Sequence, residues 1–235
     1  MNLIRLDAVA STNGWLADRA AGLPDGQWVR AVSQTAGRGR QGRAWAMLPG
    51  NLAASVLVRL HAGDAPPGQI GFVAAVALHE AVSAHVAPAR LMLKWPNDLL
   101  LDGAKLSGIL CERAGDEVIV GFGVNLAAAP KLESRATIAL PPPAPDPEAF
   151  LARLADRFAH WLARWRTQGF EPVRAAWLAA AHPLGTPLHL PGAPPRPGTF
   201  QGLAADGALM VQTAGGPETI HAGEIMLADA DGEPA

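Results

Sequence analysis

Apolar residues recur along this chain in two periods. Between 68 and 86, Ile70, Val73, Ala74, Ala77, Leu78, Ala81 and Val82 fall at helical spacing and predict the clearest helix of the sequence, which Pro88 closes. Alternation predicts a strand at 27–34, and apolar runs at 2–6 and 52–60 and then at 91–95, 98–101, 105–113 and 117–125 read as further strands. Asp102-Gly103 is a strong turn pair inside that run. Near the start, Ser11-Thr12-Asn13 precede Trp15-Leu16-Ala17, and any of the three suits the cap of a helix over about 12–21. Pro-Pro-Pro-Ala-Pro-Asp-Pro at 141–147 reads as an extended connector. Two helices follow it, at about 147–167 and 171–181, before Pro183 and Gly185 break the pattern.

Beyond that point the character changes. Runs at 186–190, 198–204, 208–213 and 217–221 alternate with Pro/Gly turns, with Asp206-Gly207 a hairpin candidate. They predict a small β-barrel of the SH3-like kind. The body before it predicts an α+β domain, a mixed and largely antiparallel sheet with packed helices. The expected division is 1–182 and 183–235.

Composition narrows the chemistry. The 235 residues are 49% hydrophobic and 17% charged, with a net charge of −2. That balance lacks the basic face expected of a nucleic-acid binder, and a local basic loop in a slightly acidic chain suits a small anionic ligand instead. Cys111 is the only cysteine, so no internal disulfide forms and a reducing, cytoplasmic location is expected. It lies in Ile109-Leu110-Cys111-Glu112 and reads as a small buried hydrophobe of a core strand. No secretory pattern opens the chain and no apolar run is long enough for a membrane span.

Four clusters carry candidate chemistry: Ser11-Thr12-Asn13; Gln34 through Trp45; Lys94-Trp95-Pro96-Asn97-Asp98 with Lys105; and Gly121-Phe122-Gly123-Val124-Asn125. In the second, glycines at 37, 39 and 42 alternate with arginines at 38, 40 and 43, so a pliable backbone carries planar cationic forks suited to carboxylate and phosphate. Each cluster alone has an ordinary reading: a helix cap, a solvated turn, surface lysines, a strand end. Asp98 and Lys105 are harder to dismiss. They flank the Asp102-Gly103 hairpin, which brings them near each other as a charged spot on an otherwise apolar sheet.

Taken in order, the clusters resemble the catalytic region of the biotin protein ligases (biotin–[biotin carboxyl carrier protein] ligases). The matching residues are Ser11-Thr12-Asn13, Gln34 to Trp45, Lys94 to Asp98, Lys105-Leu106-Ser107-Gly108-Ile109-Leu110 and Gly121 to Asn125. The resemblance covers about 3–126 and resumes weakly at Ala222-Gly223-Glu224-Ile225, like the close of the family's small C-terminal barrel. It implies a class II synthetase-like fold and a two-step ligation: biotin and ATP give biotinyl-5′-AMP and pyrophosphate, then a carrier lysine takes the biotinyl group and AMP leaves. It implies biotin, ATP and Mg²⁺ as ligands and the carrier of acetyl-CoA carboxylase as partner. The sheet offers an edge or face for a homodimer, but no sequence feature decides it.

Under this resemblance Arg40 and Lys105 hold carboxylate and α-phosphate and stabilise charge on phosphorus, with Lys94 a second phosphate contact. Asp98 has three open roles: orienting Lys105, assisting the metal, or taking a proton from the acceptor amine. Ser11, Thr12, Asn13, Gln34, Arg38, Gly39, Arg40 and Lys105 carry the biotin contacts, and Asn125 reaches toward the adenylate. The Gly-Arg loop becomes a lid that keeps water from the mixed anhydride. Trp45 either packs on the ligand or is an ordinary core tryptophan, and Arg43 has no firm role. Because the pattern begins within the first dozen residues, the DNA-binding domain of some members is not expected, and no DNA partner with it. A lipoate-type ligase or transferase, an RNA-binding module and a non-catalytic biotin sensor are the competing readings.

Overall fold

The computed structural model describes residues 1–133, 135–192 and 194–227. Strand β1 (Asn2–Val9) leads through helix α1 (Thr12–Ala17) to β2 (Gln27–Gln34), which lies parallel to β1. β3 (Leu52–Arg59), helix α2 (Ile70–Val82), β4 (Leu91–Lys94), β5 (Asp98–Leu101), β6 (Ala104–Ala114) and β7 (Glu117–Val124) follow. These strands form one seven-stranded sheet in the order β1-β2-β3-β7-β6-β5-β4, antiparallel except for the β1–β2 pair. β1 outruns the predicted 2–6 because it zips onto β2 over its whole length, from Asn2↔Gln27 to Val9↔Gln34.

Helix α1 is shorter than the predicted 12–21. Leu16 is its one fully buried apolar side chain, Ala17 to Arg19 are exposed, and the chain tightens into a 3₁₀ turn at Ala20–Gly22. Helix α2 is also trimmed from 68–86. A 3₁₀ turn at Pro67–Gln69 leads in, and Ser83 ends it, its hydroxyl donating to the His79 carbonyl at 2.8 Å. Ten of its thirteen residues are buried. A helix buried on nearly all sides needs cover on both faces, and it has the sheet on one side and α3 (Pro147–Gln168) and α4 (Glu171–Ala179) on the other. α3 is capped by Asp146, whose carboxylate accepts from the amides of Glu148 and Ala149. Its apolar stripe runs from Phe150 through Phe158 to Trp165.

Helices α2, α3 and α4 cover one face of the sheet, and α1 covers only part of the other. In β7, Val118, Val120, Phe122 and Val124 point into their core, while Ile119 packs beneath α1. Gly121 and Gly123 alternate with them and face the same side as Ile119, where the sheet is left open.

The C-terminal strands are β8 (Pro187–Leu190), β9 (Arg196–Leu203), β10 (Leu209–Thr213), β11 (Gly216–Ile220) and β12 (Met226–Leu227). They form an antiparallel sheet in the order β11-β10-β9-β8-β12. The two-residue β12 left no alternation to read in the sequence. This sheet shares its core with the body: Trp177 meets Phe200 edge-on at 6.5 Å, and the Trp95 indole N–H donates to the Gly207 carbonyl at 3.3 Å.

Cys111 departs from its expected burial. It lies on the helix-side face of β6 and is exposed, because the neighbouring α2 residue is Gly71, which has no side chain to cover it. No helix among the described residues is long and apolar enough to cross a membrane.

Candidate active site

The open face of the sheet is built as rows of paired residues. One row runs Lys94↔Asp98, Asp98↔Gly108, Gly108↔Gly123 and Gly123↔Ala53 across β4, β5, β6, β7 and β3. Charge sits at one end and the centre carries no side chains. Trp45 fills that centre. A Cβ built on Gly123 lies 2.3 Å from Trp45 Cε2, and one on Gly108 lies 3.5 Å from Cζ3. The glycines are the space into which the indole lies.

Lys105 reaches this face through a β-bulge. Asp98 pairs with Gly108 and Leu99 with Ser107, but Leu100 then pairs with Lys105, leaving Leu106 as the extra residue. Regular pairing would set Lys105 opposite Leu101, whose side chain points into the helix-side core. The bulge turns the lysine over to the open face while Leu106 stays fully buried. There Lys105 Nζ donates to Asp98 Oδ1 at 2.5 Å, and Arg135 Nη1 stands 3.7 Å from Asp98 Oδ2. Burial holds the Lys105 pKa below the ordinary lysine value, and the Asp98 charge opposes part of that fall. Lys94 is lowered in the same way, by burial first, with Asp98 and Glu224 opposing.

The other end of the cleft is neutral and polar. Thr12 donates to Gln34 Oε1 from both its amide, at 2.8 Å, and its hydroxyl, at 3.0 Å. Those bonds fix the Gln34 amide and leave its Nε2 with no acceptor among the described residues. Asn13 donates to the Leu110 carbonyl at 3.2 Å and to Glu112 Oε2 at 2.7 Å, and its Oδ1 accepts from the buried Ser55 hydroxyl at 2.6 Å. Ser11, at the α1 cap, accepts from the Gly14 amide at 3.4 Å and keeps its own O–H to give.

The Gly-Arg loop is a small hairpin rather than an open coil. Trp45 N donates to Gly37 O at 2.9 Å and Gly39 N to Arg43 O at 2.7 Å, with a 3₁₀ turn at Arg40–Gly42 as its tip. Gly37 is required: a Cβ there would lie 2.7 Å from the Trp45 carbonyl. Arg38 stands 3.9 Å from Glu112. Arg40 Nη1 donates to the Gly223 carbonyl at 3.1 Å, and Arg43 pairs with Glu224 at 2.6 Å. Glu224 also lies 3.8 Å from Arg135. Burial pushes its pKa up, but the hydrogen bond and charge of Arg43, aided by Arg135 and Lys94, outweigh this and leave it below the ordinary carboxylate value.

Ser11, Thr12, Asn13, Gln34, Arg38, Gly39, Arg40, Trp45, Asp98, Lys105 and Asn125 therefore line one cleft. Asn125 is there with its amide engaged, donating to Ile138 O at 3.2 Å and accepting from Asn51 at 3.4 Å, so it pins the loop that follows β7. Lys94 is beside the cleft, in the same row as Asp98, but does not line it. Sequence reasoning missed Arg135, Thr137 and Glu224, all of which line the cleft. Only Glu224 carried a signal, its place in the Ala222 to Ile225 run. Arg135 lies in an irregular loop with no period to read.

A row of glycines under an indole, a buried lysine–carboxylate pair among arginines, and a neutral hydrogen-bonding end make a cleft for an elongated ligand, polar at one end and anionic at the other. Known proteins share this build. Residues 5–125 match the biotin/lipoate A/B protein ligase family and residues 197–227 the biotin protein ligase C-terminal domain. A biotin–[acetyl-CoA-carboxylase] ligase of Paracoccus denitrificans is 43% identical over 232 residues, 92% of this chain and 97% of that protein. Its counterpart in Mycobacterium tuberculosis is 33% identical over 238 residues, 94% of this chain and 88% of that protein. The Aquifex aeolicus biotin protein ligase in complex with biotin and ATP superposes with a TM-score of 0.84 at 27% identity, covering 97% of this chain and 99% of that one. The chain belongs to the biotin protein ligase family.

Proposed function

We propose that this chain is an ATP-dependent biotin–[acetyl-CoA-carboxylase] ligase. Biotin's carboxylate attacks the α-phosphorus of ATP, giving biotinyl-5′-AMP and pyrophosphate. A lysine amine of the carrier domain then attacks the acyl carbon, forming the amide, losing a proton and releasing AMP. The observation that carries this reading is the joining, in one cleft, of the Lys105–Asp98 pair and Arg40 with a Gln34 amide fixed by Thr12. The relative of Paracoccus denitrificans, similar over nearly its whole length, supports it.

The first step brings two anions together, and their repulsion is strong away from bulk water. Lys105 and Arg40 offset it and take up charge developing on the phosphoryl oxygens. Asp98 keeps Lys105 charged and aimed, the role its 2.5 Å contact favours over the metal or base roles. Arg135 adds charge at the same end, and Lys94 acts from beside it. Biotin's ureido ring, neutral with both donors and acceptors, suits Ser11, Thr12, Asn13 and Gln34. Arg38 and Gly39 shape the loop over the ligand and Asn125 holds the adenylate-side loop in place. Mg²⁺ enters as part of the Mg-ATP substrate. Residues 1–182 form the catalytic unit and the chain from 183 the C-terminal module, of which 228–235 lie outside the described residues.

Incubation with biotin, Mg-ATP and an apo carrier domain, read by intact mass, tests the reading. Biotinyl addition to the carrier is expected. No addition, beside a control ligase that works, refutes it, and lipoyl addition in its place assigns a lipoate-type activity.

A further inference from the structure

Arg43 had no role in the sequence, and Glu224 was not expected in the cleft. The structure joins them. Glu224 belongs to the C-terminal sheet, in the segment between β11 and β12, and its carboxylate pairs with Arg43 at 2.6 Å while lying 3.8 Å from Arg135. Arg135 in turn stands 3.7 Å from Asp98, the partner of Lys105. One residue earlier, the Gly223 carbonyl accepts from Arg40 at 3.1 Å. Two consecutive residues thus grip both arginines at the tip of the Gly-Arg loop, and one of them touches the chain of charges ending at Lys105.

The grip is held rigidly from behind. Gly223 has φ +132, and a Cβ built there would lie 2.5 Å from Pro191 Cγ, so the backbone is pressed against β8's end in a shape that glycine alone takes. Ile225, the next residue after Glu224, is 2% exposed and sits in the main core. A carbonyl and a carboxylate fixed this way are a platform for whatever they bind.

On the reading that the cleft forms biotinyl-5′-AMP, we propose that Glu224 is a positioning residue. Acting through Arg43 and Arg135, it docks the Gly-Arg loop on the C-terminal module and so holds Arg40 at the cleft that Lys105 also lines. Glu224 touches no reacting atom. Its effect falls on turnover, since a misplaced Arg40 weakens charge stabilisation in the transition state while the Gln34 end still takes biotin.

Glu224→Gln, Arg43→Gln and the double variant test this, with pyrophosphate release at saturating biotin and ATP as one readout. Limited trypsin cleavage after Arg38 and Arg40 of the ligand-free protein, two sites that every variant keeps, is the other, and it does not depend on the activity. Each single variant is expected to lose about tenfold in kcat, the order of cost of a small misplacement of a catalytic group, with the KM for biotin little changed. Each is expected to be cut several-fold faster in the loop, and the double variant to be no worse than either single one. Effects that multiply in the double variant overturn the proposal, as does wild-type turnover with wild-type cleavage. If Glu224→Gln fails to fold, Arg43→Gln, changed from the loop side, carries the same test. A wild-type protein that makes no biotinyl-adenylate refutes the ligase reading alone, and the cleavage comparison still decides the docking.

Discussion

Replacing Gly123 by alanine adds one methyl group at the centre of the cleft floor. Its Cβ would lie 2.3 Å from Trp45 Cε2, 2.6 Å from Cζ2 and 2.7 Å from Nε1. Non-bonded carbons rest at about 3.5–4.0 Å, so the indole must retreat by more than about 1 Å. The strand cannot give way, because Gly123 is paired on both sides, with Gly108 of β6 and Ala53 of β3. Overpacking of this kind costs about 1–3 kcal/mol. At about 1.4 kcal/mol per decade that is about 5- to 150-fold in any equilibrium that needs the indole in place. Trp45 closes the Gly-Arg hairpin, so the loss is expected in the loop and the ligand it covers rather than in the helix-side core. Calorimetric biotin affinity is expected to fall within that range while the melting temperature barely moves. The reasoning has an internal control. Trp45→Ala removes the clash, so Gly123→Ala added to Trp45→Ala should cost little more. Wild-type affinity in Gly123→Ala, or a full additional loss in the double variant, refutes the account of the glycines.

Lys105→Ala is expected to lower adenylate formation by about 10²–10³, the usual worth of a charge-stabilising group; near-normal pyrophosphate release removes Lys105 from that role. In Asp98→Asn the charge that holds the lysine protonated is gone, while burial still lowers its pKa. The alkaline limb of the pH–rate profile for adenylation should therefore move to lower pH, and an unmoved limb refutes the coupling. His182 has a pKa pushed down to about 4, by burial first and then by Lys94, with Nε2 buried and unpartnered. The unfolded chain takes up this proton near its ordinary 6.5 and the folded chain only near 4. Stability is therefore lost as pH falls through that window. His182→Leu should shrink the drop in melting temperature between pH 7 and pH 5, and an unchanged drop assigns the acid sensitivity elsewhere.

Most of the sheet and the two long helices were legible because their signals are local. Alternation marked β2, apolar runs marked β3 and β7, and the helical spacing from Ile70 to Val82 marked α2. Element ends were less so. α1 stops at Ala17 because burial, which a capping motif does not report, gives out after Leu16. Cys111 misled for the same reason. Its strand is a core strand, but whether a given residue is covered depends on α2, forty residues earlier, presenting a glycine there.

The site divides along the same line. Ser11 to Asn13, Gln34, Arg40, Asp98 and Lys105 were found by residue type and order, yet what makes them a site is three-dimensional. Lys105 faces Asp98 because of a one-residue bulge, and no alternation pattern predicts which side of a bulge a lysine takes. Gly108 and Gly123 come from different strands, and only their pairing turns two separate glycines into one floor for Trp45. Arg135 and Glu224 lie far apart in sequence and meet because the C-terminal sheet is seated on the body through Trp95, Trp177 and Phe200. A charge in a loop has no period, and its meaning is set by what the rest of the chain brings against it. Arg43 shows this most directly: surplus beside its neighbours in the Gly-Arg run, it becomes, once Glu224 is placed 2.6 Å away, the tie between the loop and the C-terminal sheet.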